Sequence, residues 1–443
     1  MTDTRGFKMF RHRPSRWAAS VVLAVVAGSL AAPPASAATK VTPGSFTGFA
    51  FDTCDTPDSA TMDVWRETSP FWGVGVYMGG EATTCDNANL TPAWVTRQAK
   101  RGWKILPLWV GPQAECSTVG YAADIDSRPA SGYAAAARQG RVNATSAVRR
   151  AKDLGIRSGG TLWYDIEDFG LGDDDCRRSV LTFLSAWTKR LHALDYSSGV
   201  YSNVSAAIDA LDYADTVSPG SYAMPDQIWY AWKNGRADTY IDDKWVRGDN
   251  WTPHARIHQF VLDTVVEHGG IEMKIDKNFM DVGRGSVAPK ALPTCGVRVD
   301  FADYKQVRRG ATGGQVKAAQ CLLKKKRLYG GVVHGRFDGA TVRAVKAFQR
   351  GRALRVTGMM TAPTWTALLA DGKGILVKRG SVGDPVRRVQ RGLTAALDRK
   401  IAVTGVFNAG TTKAVVRYQR RLGLAATGVM DPATWAELKA GHR

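Results

Sequence analysis

Thr161-Leu-Trp-Tyr-Asp-Ile-Glu-Asp168 is a run of β-branched and aromatic residues that ends in Asp-x-Glu, the make-up of a buried strand that delivers carboxylates at its end. Strand side chains alternate with period two, so Asp165 and Glu167 point to one face. At the C-terminal mouth of a parallel barrel, two such acids serve general acid and base chemistry. Asp-x-Glu alone is too short to be specific, so the surrounding chain decides what it means.

Around this strand, residues 38–285 alternate strand-like and helix-like segments eight times. Strand candidates end near Asp52, Gly79, Val110, Glu167, Asn203, Trp232, Leu262 and Asp276, with amphipathic helices such as Ala134 to Leu154 and Arg177 to Leu194 between several of them. Eight βα units in roughly 240 residues make a (β/α)8 TIM-like barrel the expected α/β fold. The fallback is a doubly wound open sheet, although no Gly-x-Gly-x-x-Gly turn follows the first strand to support its dinucleotide-binding form. Four acids fall at proposed strand ends and would converge at the barrel mouth: Asp52, Asp165, Glu167 and Asp276. Tyr77, Trp109, Tyr164, Tyr201 and Trp232 lie near strand ends as well, where they can stack on sugar rings or pack in the core; the residues alone leave both open. His254 and His258 flank a strand-like segment and read as structural or substrate-lining.

The first 37 residues read as a signal peptide: Arg5, Lys8, Arg11, Arg13 and Arg16 precede an apolar run from Trp17 to Ala32, and Ala35-Ser36-Ala37 offers a small-x-small cleavage site. The competing reading, an uncleaved anchor, meets a short apolar core followed by Pro33-Pro34. A secreted or wall-associated chain with no transmembrane segment after cleavage is therefore expected. Six cysteines, Cys54, Cys85, Cys116, Cys176, Cys295 and Cys321, suit three disulfides in an oxidising compartment. Pairing each with its neighbour (Cys54 with Cys85, Cys116 with Cys176, Cys295 with Cys321) keeps every bridge within one domain. None has Cys-x-x-Cys spacing, so zinc is not expected, and no metal, nucleotide or organic cofactor is implied.

Charge divides the chain. Residues 296–443 hold 29 Lys and Arg against 8 Asp and Glu, whereas residues 38–295 hold 26 against 31, so the C-terminal third carries the whole excess behind the net charge of +20. A basic module outside the cell most simply meets an anionic polymer such as cell-wall glycan with its anionic partners. Extracellular DNA competes for that role, but no nucleic-acid motif supports specific binding. Ser286-Val-Ala-Pro-Lys-Ala-Leu-Pro293 interrupts the patterning, which puts a linker at 286–297. Beyond it the chain repeats with a gapless offset of 70: Gly310 to Gln320 matches Gly380 to Gln390, Gly335 to Gln349 matches Gly405 to Gln419, and Trp365 matches Trp435. Each repeat reads as three helical pieces, Val316 to Leu323, Gly339 to Gln349 and Ala362 to Leu369 in the first, giving small all-α modules at 298–371 and 372–443. Phe337, Phe348, Trp365, Phe407, Tyr418 and Trp435 read as their cores.

The Gly-x-Phe-(Asp/Asn) turn, the Thr-(Val/Thr)-x-Ala-Val-x-x-(Phe/Tyr)-Gln helix and the closing Thr-Trp segment resemble the type-1 peptidoglycan-binding module, a three-helix unit appended to cell-wall hydrolases. The N-terminal part is similar to the glycoside hydrolase family 25 lysozymes in its Asp52-ending strand, its Asp-x-Glu strand, Val200-Tyr-Ser-Asn203, Ile228-Trp-Tyr-Ala231, His258-Gln-Phe260 and Ile275-Asp-x-Asn278. Through Phe51-Asp-Thr-Cys54, Ala60-Thr-Met-x-x-Trp65 and Thr182-Phe-Leu-Ser-Ala-Trp187 it resembles more closely the actinobacterial glycoside-hydrolase-like domain of unknown function. The resemblance implies Glu167 as the general acid, Asp165 as its neighbour and orienter of a 2-acetamido group, and Asp52 and Asp276 as stabilisers of oxocarbenium charge or positioners of water. Thr53-Cys54-Asp55 departs from the lysozyme pattern, which puts the shape of the mouth in doubt. Two function classes follow: a monomeric, wall-tethered glycosidase acting on amino-sugar linkages of peptidoglycan, or an inactive glycan-binding relative on the same barrel.

Overall fold

The computed structural model describes residues 42–291 and 295–443; the signal-peptide reading over 1–37 and linker residues 292–294 lie outside them. Strands and helices first alternate, as β1 (Phe46–Asp52), α1 (Ser59–Thr68), β2 (Phe71–Gly79), α2 (Pro92–Arg101) and β3 (Lys104–Trp109). The two-residue strands β4 (Gln113–Ala114) and β5 (Asp124–Ile125) pair in the loop that follows, before α3 (Ala134–Asp153), β6 (Thr161–Asp165), α4 (Asp174–His192) and β7 (Ser197–Asn203). A π-helical turn (Val204–Ile208) leads into α5 (Asp209–Val217), and β8 (Gln227–Ala231), β9 (Ala255–His268) and β10 (Ile271–Val282) complete this domain.

Eight strands close a barrel in the order β1-β10-β9-β8-β7-β6-β3-β2. This is the TIM-like architecture expected, with one difference. No helix separates β8, β9 and β10, and β10 runs antiparallel to both β9 and β1. Gly269 and Gly270, at φ of +63° and +81°, turn the β9–β10 hairpin, a conformation that glycine adopts without steric cost. Alternation sorts the side chains. Ala50, Leu106, Leu108, Trp163, Tyr201, Trp229 and Met280 fill the barrel, whereas Phe51, Val74, Leu162, Tyr164 and Val200 face the helices. Inside, the indoles of Trp163 and Trp229 meet edge to face at 6.1 Å. A Cβ on Gly75 would lie 2.5 Å from that of Asp52 and 2.9 Å from the Trp229 ring, so only glycine leaves room beneath this carboxylate.

The first module comprises α6 (Gly314–Lys325), α7 (Gly339–Gly351) and α8 (Ala362–Ala370), and the second α9 (Asp384–Leu397), α10 (Ala409–Arg421) and α11 (Pro432–Lys439). The six aromatic residues read as core are buried. A buried glutamine spans each module's turn: Gln320 Nε2 donates to Arg336 O and Thr341 Oγ1, and Gln390 Nε2 does the same to Val406 O and Thr411 Oγ1. Barrel and modules form one compact unit. The second module docks on the barrel base, where Lys378 Nζ donates to Arg66 O (2.5 Å) and Ser69 O (2.8 Å) and Ser286 Oγ donates to Gly380 O (2.9 Å). The cysteines pair as Cys54–Cys85, Cys116–Cys176 and Cys295–Cys321.

Candidate active site

A cleft of about 580 Å³ opens at the barrel mouth, and Asp52, Tyr77, Tyr121, Asp165, Glu167 and Asp276 all line it. Asp52 stands opposite Asp276 in the β1–β10 register. Gln259 bridges the two: its Nε2 lies 3.2 and 3.3 Å from the Asp52 oxygens and 3.2 Å from Asp276 Oδ2. Asn278 Nδ2 donates to Asp52 Oδ1 at 2.6 Å and Tyr77 OH to Asp52 Oδ2 at 3.1 Å. Behind them, Trp229 Nε1 donates to Asn278 Oδ1 (2.7 Å) and Tyr201 OH to Gln259 Oε1 (2.9 Å), which fixes the orientation of both amides. Asp276 Oδ1 accepts from the Asp263 amide at 2.6 Å.

The other two acids are held through the main chain. Gln113 Nε2 donates to Asp165 O (2.9 Å), while its Oε1 accepts from the Glu167 amide (2.8 Å), clamping the backbone on both sides of Ile166. Asp165 is 1% exposed, and its Oδ1 is buried without a hydrogen-bond partner. Glu167 lies two residues past the end of β6, at the rim, where its carboxyl is half-buried. Two disulfides frame this mouth. Cys54–Cys85 joins the loops after β1 and β2, and Cys116–Cys176 ties the loop before Tyr121 to the start of α4.

Burial raises the pKa of Asp52, Asp165, Glu167 and Asp276, since a low-dielectric site disfavours the charged form, whereas the exposed Asp263 on the cleft edge is lowered by its ion pair with Lys274. Asp52 is pushed up to about 7 by burial and by Asp276, against the lowering pull of Asn278, Gln259 and Tyr77. Burial, then Glu167 and Asp52, holds Asp165 well above the carboxylate range. Glu167 is raised by burial, Asp168 and Asp276, and Asp276 is raised chiefly by burial. Tyr121, pushed up to about 12 by burial and by Glu167, Asp165 and Asp168, stays a neutral hydroxyl beside them. Among the described residues, no group of three or more His, Cys, Asp or Glu is placed to hold a metal ion.

Several expected residues sit elsewhere than the sequence placed them. Asp276 is not at a strand end: it lies mid-way along β10 and reaches the mouth because this antiparallel strand and its hairpin partner extend past the rim. Tyr164 is not a sugar platform. It has the opposite parity to Asp165, is fully buried against Phe183 and Trp187, and donates to Pro112 O. Trp109 and Trp232 do not line the cleft: Trp109 Nε1 donates to Asn143, and Trp232 packs on Trp245 and His258. His258 bridges the carbonyls of Asp238 and Trp232, and His254 contacts Asp281, so both are structural. Tyr77 and Tyr201 do lie with the acids, Tyr77 on the cleft wall and Tyr201 just beneath it. The sequence reading missed Gln113, Gln259 and Tyr121 as site residues.

This geometry meets a family model over most of the barrel. Residues 63–280 are a Rv2525c-like, glycoside hydrolase-like domain. Residues 312–368 and 382–438 match the peptidoglycan binding domain family. A curated relative, the N-acetylmuramoyl-L-alanine amidase CwlL of Bacillus licheniformis, is 29% identical over 163 residues, 30% of this chain and 45% of that protein, so the chain spans less than half of the relative it matches. Among solved structures, an uncharacterized B. stearothermophilus protein aligns with a TM-score of 0.35 and 22% identity over 53% of this chain and 95% of its own. The modular autolysin LytC from Streptococcus pneumoniae aligns with a TM-score of 0.35 and 11% identity over 53% and 46%. The glycoside hydrolase-like domain is thus followed by two modules of the peptidoglycan binding domain family.

Proposed function

We propose that the glycoside hydrolase-like domain cleaves amino-sugar glycosidic bonds of peptidoglycan, and that the protein is exported to do so. The observation that carries this reading is the cleft itself: of the carboxyl groups that line it, Asp52, Asp165, Glu167 and Asp276 are all raised in pKa, and one buried oxygen of Asp165 is left without a partner. A pure binding site gains nothing from crowding acids that repel one another, whereas an acid catalyst needs a carboxyl group kept protonated near neutral pH. Glu167, at the rim, would give its proton to the leaving glycosidic oxygen as the C–O bond breaks. Asp165 would orient the acetamido group or bear on the cationic carbon. The pair Asp52 and Asp276, held by Gln259, would stabilise oxocarbenium charge and position the water, whose oxygen bonds to that carbon to complete the hemiacetal as its proton passes to the pair. Tyr77 and Tyr121 would contact the sugar. Export is supported by residues 1–37 as read above and by three disulfides, which persist in oxidising compartments. The two modules would raise the local concentration of cleft and wall.

The test is digestion of purified peptidoglycan by the chain from Ala38 onward, with reducing ends counted beside a Glu167→Gln control. New reducing ends that vanish in the variant support the glycosidase. Sedimentation with the wall and no release would support the glycan-binding alternative.

A further inference from the structure

The 70-residue duplication supplies an internal control, because equivalent positions in the two modules can be compared one by one. In the second module a cavity of about 390 Å³ lies between the α9–α10 loop and α10, lined by Arg399, Lys400, Lys413 and Arg417 with Leu397 and Ile401 among its apolar walls. All four cations are exposed, none makes an ion pair among the described residues, and no acid lines the cavity. The first module keeps a cation at one matching position, Arg343 for Lys413, and has Arg327 for Leu397, but it differs at the other three cationic positions. Tyr329 replaces Arg399, Gly330 replaces Lys400, and Ala347 replaces Arg417. The Tyr329 side chain is 3% exposed and folds inward to donate to Val332 O at 3.0 Å. A Cβ on Gly331 would lie 2.8 Å from this ring, so the first module is built around it, whereas the second has Ile401 there. The carboxylate of Asp338, which caps α7, becomes the neutral amide of Asn408, which caps α10.

We propose that only the second module binds the acidic stem peptide of peptidoglycan, in this cationic cavity, and that the first module, with Tyr329 in the equivalent place, is a structural spacer. This rests on the wall-binding reading above and refines it. Four unpaired cations and a neutralised cap make a site for carboxylates. Leu397 and Ile401 beside these cations favour a ligand that carries short alkyl groups between its carboxylates, as a stem peptide does. A repeating glycerol phosphodiester carries a hydroxyl on each three-carbon link instead of alkyl side groups, and its charges repeat along an extended strip.

The experiment measures binding of an N-acetylated stem tetrapeptide (L-Ala, γ-D-Glu, meso-diaminopimelate, D-Ala) and of a glycerol phosphate oligomer to the full chain by calorimetry. The variants are Arg399→Ala with Arg417→Ala, Arg343→Ala in the first module, and Arg420→Ala with Arg421→Ala as a charge-matched control on α10 outside the cavity. Circular dichroism checks that each is folded. The expected result is peptide affinity at least tenfold weaker in the cavity variant and unchanged in the other two. Equal weakening in the charge-matched control or in Arg343→Ala, no weakening in any variant, or binding of the phosphate oligomer alone would overturn the proposal. Sedimentation with purified peptidoglycan separates the two failures: a chain that still sediments refutes only the cavity assignment, and one that does not refutes wall binding and the cavity together.

Discussion

The two ends of the barrel treat buried charge in opposite ways. At the mouth, Asp165 is buried with one carboxyl oxygen without a hydrogen-bond partner, and Asp52, Glu167 and Asp276 beside it are raised in pKa as it is. At the base, Lys378 is equally buried, but two main-chain carbonyls accept from its ammonium, and the faces of Trp72 and Trp103 lie 4.4 and 5.7 Å away. Burial and the nearby Arg66 still press its pKa well below the ordinary lysine value. The partners differ even though the depth is the same. A satisfied buried cation joins two domains, whereas a buried acid that keeps its proton and an unpartnered oxygen is held where a ligand will meet it.

The largest expected break in this contrast is Glu167→Gln, which should lower release of reducing ends by about 10² to 10⁴-fold while sedimentation with the wall is unchanged. Next comes Lys378→Met, which strands the carbonyls of Arg66 and Ser69. It should cost about 1–3 kcal/mol for each orphaned acceptor, read as a lower midpoint in urea, with the barrel and second module loosening from each other on limited proteolysis. Asp165→Asn should act in the opposite sense and stabilise the fold by roughly 1–2 kcal/mol at neutral pH while abolishing activity. Folding raises the pKa of these acids, so the native state keeps protons that the unfolded chain sheds. Stability is therefore full below the unfolded value near 3.8 and falls as pH climbs, for Asp52 through about 7. The gain from Asp165→Asn should accordingly shrink in melts at acid pH.

The contrast was only partly visible beforehand, and the reasons are local. Alternation along Thr161–Asp165 shows which carboxylates face inward, and the same parity sends Tyr164 outward, so its burial was readable there. Strand direction is not written in alternation, which is why Asp276 looked like a strand end. The Gly269-Gly270 pair between two strand-like runs is a two-residue hairpin signal that would have corrected it. Gln259 and Asn278 lay within the quoted motifs, but their bonds to Asp52 cross 207 and 226 residues of chain. Tyr121 sits in a loop with no periodicity, and nothing local marked it. Lys378 looked like one more cation of a basic module, since burial by another domain leaves no trace in neighbouring residues.

The smallest expected effect sharpens the acid assignment. Asp168 is exposed, but its charge is the leading electrostatic cause, after burial, of the raised pKa of Glu167. Asp168→Asn should move the alkaline limb of the pH–rate profile down by a fraction of a unit, because the proton is then held less tightly.

The most direct test of the central claim is digestion of purified peptidoglycan in water enriched with oxygen-18, followed by mass spectrometry of the fragments. The account predicts heavy oxygen at the hydroxyl of a new reducing-end sugar, absent with Glu167→Gln. Heavy oxygen in a carboxylate released from an amide bond, with no labelled reducing end, would contradict it.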